Sequence, residues 1–122
     1  MAVPPFQDFP LAPRERPWDA AAAEKRVREF TGAEDGPNTA YDDAFLWYDA
    51  EREEDFTAHK LLIADVVDGR IEAVPRGIFA AAAVMDGSRG GVDLPAADIP
   101  QVKEQLTRYY EKLGEEPPWA RG

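Results

Sequence analysis

The spacing of apolar positions divides the chain into segments of different period. In "AAAAEKRVREF" Ala20, Ala23, Val27 and Phe30 recur at helical steps behind Asp19, whose carboxylate can accept the free N–H groups of a first turn. With Gly32 as a stop, the pattern predicts a helix over about 20–31 with those four residues inward. "KLLIADVV" and "RIEAV" are β-rich runs joined by Asp68-Gly69, a two-residue link whose positive φ angles suit a tight turn. A β-hairpin over about 60–74 is the firmest local expectation. Pro75 then ends the ladder and opens a second helix, about 76–86, with Gly87 to close it. Ile99, Val102, Leu106, Tyr109 or Tyr110, and Leu113 make one apolar face of a third helix, about 99–113, capped by Asp98 and ended by Gly114. The aromatic run Phe45, Trp47 and Tyr48 predicts a further strand over Ala44 to Tyr48, against the preference of the flanking acids.

These elements define an α+β chain: a small antiparallel sheet containing the hairpin, packed by about three helices, with a proline-rich arm in front. In the arm, residues 1–17, Pro4, Pro5, Pro10, Pro13 and Pro17 remove backbone donors and keep the segment extended. Phe6, Phe9 and Leu11 punctuate the prolines as apolar anchors, for this chain's own surface or for a neighbour's. Residues 18–119 form the single domain, and 122 residues suffice for one core. In the tail "EEPPWARG", Trp119 is either tucked against the domain or offered to a partner.

Charge changes the picture more than composition does. The net formal charge is −10, and residues 34–55 alone carry nine acids against Arg52. Glu51 to Asp55 reads as an exposed acidic loop. Such a segment repels a phosphate backbone, so direct nucleic-acid binding is not expected; a basic partner, or mimicry of nucleic acid, remains open. The chain has no cysteine, which removes disulfides, thiolate metal sites and cysteine nucleophiles. No apolar run approaches a membrane span and the first residues lack the pattern of a secretory signal, so the expected setting is inside a cell or a particle assembled there.

Candidate chemistry is sparse. His59 is the only histidine and Ser88 the only serine. Ser88 lacks a strand-to-helix elbow, no third residue is evident to orient His59, and the expectation is a solvent-exposed histidine. Asp49, Glu51, Glu53, Glu54 and Asp55 do not match the spacing of a calcium loop. Asp42 with Asp43, and Asp65 with Asp68, have no pocket to raise a carboxyl's pKa; Asp68 reads as the turn residue and Asp65 as a polar hairpin position. "GSRGG" follows a helix rather than a strand, the wrong context for a phosphate loop. No catalytic residue, cofactor or metal ligand is assigned, and the chain reads as a non-enzyme.

"HKLLIADVVDGRIEAVPRGIFAAAAVMDGSRGGVDLPAADIPQVKEQLTRYYEKLGEEPPW" resembles a segment that recurs in predicted prophage and tailed-bacteriophage proteins, often next to or fused with the head maturation (prohead) protease. With "RPWDAAAAEKRVREF" and "AFLWYD" upstream, the likeness covers about residues 14–119. It brings no protease motif. The resemblance implies a virion-assembly setting, in host cytoplasm or virion, and a structural role through protein–protein contacts, with capsid subunits or further copies of the chain as partners. The expected contacts are Phe6, Phe9, Leu11, Trp47, Tyr48, Glu51, Glu53, Glu54 and Trp119. The rival expectation is an acidic inhibitor that imitates DNA.

Overall fold

Asp68 and Gly69 adopt φ angles of 51° and 78°, as a two-residue hairpin turn requires, and set the register of the strands they join. This geometry comes from a computed structural model, which describes residues 3–52, 54–87 and 94–121. The chain is a small α+β fold: α1 (Ala20–Phe30), α2 (Thr39–Asp42), β1 (Phe45–Tyr48), β2 (His59–Leu62), β3 (Ala64–Val67), β4 (Arg70–Ala73), α3 (Pro75–Met85) and α4 (Ile99–Leu113). β3 and β4 pair antiparallel, with Ala64 opposite Ala73 and Asp65 opposite Glu72.

The expected single strand "KLLIADVV" is divided. Its first half, β2, pairs with β1 instead, Phe45 facing Leu62 and Tyr48 facing His59, so the described residues form two two-stranded sheets. Leu61 sits at φ 65°, and Ile63 lies at the corner, where its carbonyl accepts the Val74 N–H at 2.8 Å. The reason is visible in the run of consecutive apolar residues. Ile63 packs into one buried cluster with Leu46, Trp47, Ile78, Val102, Leu106 and Tyr109, while Leu62 and Ala64 pack into another with Val27, Tyr41 and Phe45. A strand without alternation can feed both sides of the fold. The expected single core is thus two clusters, with Phe9 packed against each.

α1 begins as expected, Asp19 accepting the Ala22 N–H at 3.1 Å, but only Ala23 and Val27 of its apolar stripe are buried. Ala20 is exposed and Phe30 is 49% exposed. The helix packs on β3 through its buried Ala23 and Val27. Asp98 does not cap α4; its carboxylate accepts the Trp47 indole N–H at 2.9 Å and ties the helix start to β1. Gly114 closes α4 at φ 73°. In α3, Gly77 lies flat against Trp18, and a Cβ there would come within 3.0 Å of the indole ring. Gly77→Ala should therefore destabilise by about 1–2 kcal/mol in a thermal melt, because overpacking outweighs the helix propensity gained.

The arm lies on its own domain. Ala12 N–H donates to the Ala73 carbonyl and Ala73 N–H to the Pro10 carbonyl, both at 2.8 Å, so the arm adds a parallel bridge to the β4 edge. Phe6 rests on Tyr109 with centroids 4.9 Å apart, and Phe9 N–H donates to the Tyr109 hydroxyl at 3.2 Å. Among the described residues no helix is long and apolar enough to cross a membrane.

Candidate functional site

β2 delivers His59 into a ring of aromatic side chains, not to solvent. Its side chain is 0% exposed, stacked on Tyr48 at 5.5 Å and met edge-on by Tyr41 at 5.0 Å. Nδ1 lies 3.0 Å from the Asp55 carbonyl, and Nε2 lies 2.6 Å from Asp42 Oδ1. A carbonyl only accepts, so Nδ1 carries a hydrogen, and Nε2 faces the Asp42 carboxylate. The expectation of an exposed, unoriented histidine is overturned, since Asp42 orients it. Burial nevertheless commits both ring nitrogens to the fold.

The histidine is one link in a longer chain of contacts. Tyr41, beside Asp42 on α2, donates its hydroxyl to Glu24 of α1 at 2.7 Å, and Glu24 also pairs with Arg28. Burial first, and the Glu24 carboxylate with it, pushes the Tyr41 hydroxyl well above its usual value, so it remains a donor at neutral pH. Arg28 lies 3.6 Å over the Phe56 ring. Two helices and the turn before β2 are thereby joined around His59.

Acids flank α2 and β1 along the chain. Glu34, Asp35, Glu51, Glu54 and Asp55 are exposed, and Arg52 is paired with Asp55 at 3.3 Å. Two open clefts flank α2. One, of about 350 Å³, lies between Asn38, Asp42 and Glu54; the other, of about 270 Å³, lies between Pro4, Pro5, Asp42, Asp43 and Tyr48. Burial, then the neighbouring Asp42, raises the Asp43 carboxyl above the ordinary aspartate range. Among the described residues no group of three or more His, Asp or Glu side chains is placed to hold a metal ion.

Of the expected contact residues, Tyr48 and Glu54 line the clefts beside Asp42, and Glu51 is exposed. Glu53 lies outside the described residues, as do Ser88 and the rest of the "GSRGG" motif beyond Gly87. Trp47 is in the core at 7% exposure. Phe6, Phe9 and Leu11 pack against the chain's own core. Trp119 is tucked in, its indole N–H donating to Thr107 at 3.2 Å and Lys103 lying over the ring.

A second cluster went unread in the sequence. Asp65, expected as a polar hairpin position, is 2% exposed and accepts two hydrogen bonds from Arg26 at 2.8 Å and one from Arg16 at 3.1 Å. Glu72, opposite it across the hairpin, is likewise buried and paired with Arg70 at 2.6 Å. The hairpin register itself was the available signal, because it places Asp65 and Glu72 side by side and so demands cations nearby. No family model matches the chain, and no curated protein or solved structure matches it significantly.

Proposed function

We propose that the chain is a non-enzymatic assembly protein of a tailed phage or prophage, working in host cytoplasm or virion and docking a basic protein surface, a capsid subunit, on its acidic end. The observation that carries this reading is the arrangement around His59. The single histidine is buried and held at both ring nitrogens, while Glu51 and Glu54 stand exposed and Glu54 lines the cleft against Asp42. A predominantly acidic surface favours fast, salt-sensitive recognition of an oppositely charged partner.

Co-sedimentation with assembled heads tests it. Binding should saturate and weaken with salt, and the Glu51→Lys/Glu54→Lys variant should bind at least about tenfold more weakly, roughly 1.4 kcal/mol. Equal binding by the variant would refute docking through this end. The net charge of −8 over residues 34–55 also favours a second reading, an inhibitor that imitates DNA. Under that reading the heads are ignored, and the chain binds a nucleic-acid enzyme in competition with duplex DNA.

A further inference from the structure

The arm is held as a receptor holds a peptide. Among the described residues, its hydrogen bonds to the rest of the chain before residue 13 run to α4 and β4, while Val3, Pro4 and Pro5 line the cleft beside Asp42, Asp43 and Tyr48. Gln105 donates to the Pro4 carbonyl, Lys112 pairs with Asp8 at 2.8 Å and donates to the Phe9 carbonyl, and Ala73 is bonded on both its N–H and its carbonyl. Phe6 is clamped between Tyr109 and the guanidinium of Arg108, 5.0 Å from its ring. Backbone pairing to a strand edge, with an aromatic anchor and prolines that reduce the entropy of an extended segment, is a combination of recurring peptide-recognition modes.

We propose that this α4–β4 face is an interaction surface between copies of the chain, and that in a dense assembly the segment it holds is the arm of a second copy. Every copy carries both the segment and its receptor, so exchange preserves each of these contacts and needs no new one. The complementarity is specific to this occupant: Asp8 answers Lys112, and Phe6 answers Tyr109 and Arg108. Within one chain, the short tether gives the arm an effective concentration in the millimolar range. Dilute protein therefore keeps its own arm, and exchange appears where neighbours are packed at least that densely.

The Lys112–Asp8 pair makes this measurable on the intact chain. Ordinary and ¹⁵N-labelled protein are mixed equally, incubated, and treated with a carbodiimide that couples the touching amine and carboxylate; the linked peptides are then weighed. Cross-links between 8 and 112 should be of one isotope at about 10 µM, with mixed-isotope links rising toward about half of the total at concentrations above about 1 mM. Unmixed 8–112 links at the high concentration would overturn the proposal. So would mixed links scattered equally over other acids such as Asp68, since they would report collision rather than exchange.

Discussion

Asp65→Ala should lower stability by about 3 kcal/mol, a fall in Tm of roughly 10 °C for a domain of this size. The carboxylate is 2% exposed and holds Arg16 of the arm's hinge and Arg26 of α1 against β3. Its removal strands two guanidinium groups beside the buried Glu72 pair, although Arg26 retains 47% exposure and Arg16 30%, which keeps the loss at the lower end for a broken buried pair. Burial alone would push the Asp65 carboxyl up, but hydrogen bonds from Arg26, Arg16 and the Val66 N–H outweigh it and hold the group below the ordinary aspartate range. The sign follows from that direction. Stability from this group is complete above the unfolded aspartate value, near 4, and is lost as pH falls through the lower folded value. Denaturant midpoints of wild type and Asp65→Asn should therefore differ most at neutral pH and converge in acid. A gap that stays constant as the pH drops would mean that the contact is steric and not ionic.

What could be read from the sequence was local. The Asp68-Gly69 turn, Asp19 as a cap, Pro75 at a helix start and Gly114 past a helix end each act over four or five residues, and the structure has all of them. The misreadings concern residues whose partners are distant in the chain. Asp98 has the chemistry of a cap but bonds Trp47, 51 residues away. Leu61, Leu62 and Ile63 read as one strand because nothing local says that successive residues serve different clusters.

The candidate site was half legible for the same reason. The acidity of residues 34–55 is a property of composition, and Glu34, Asp35, Glu51, Glu54 and Asp55 keep it on the surface while Asp42 is buried. The aromatic run within that segment was legible as strand, but not the partition that sends Trp47 into the core and leaves Tyr48 half-buried against His59. The burial of His59 follows from a pairing register that places it beside Tyr48 and from α2, a four-residue helix too short to announce itself. Asn38 is the one local clue to α2, accepting the Tyr41 N–H at 2.9 Å as its cap.

His59→Ala should cost about 3–4 kcal/mol, because it combines three losses. It empties a fully enclosed ring site among Tyr41, Phe45 and Tyr48, leaves the buried Asp42 carboxylate without its donor, and frees the Asp55 carbonyl that fixes the turn before β2. Asp42→Asn should cost only about 1 kcal/mol. With Nδ1–H still directed at Asp55, Nε2 can accept a hydrogen bond from the side-chain amide that this substitution introduces, so the contact is kept without moving the ring. Urea unfolding of both variants separates volume from charge. If Asp42→Asn falls as far as His59→Ala, the pair's charge, rather than the packed ring, holds the acidic end together. If the difference is as large as expected, that end is a preformed surface whose exposed acids can be altered without unfolding it. The charge-reversal test at Glu51 and Glu54 relies on this separation.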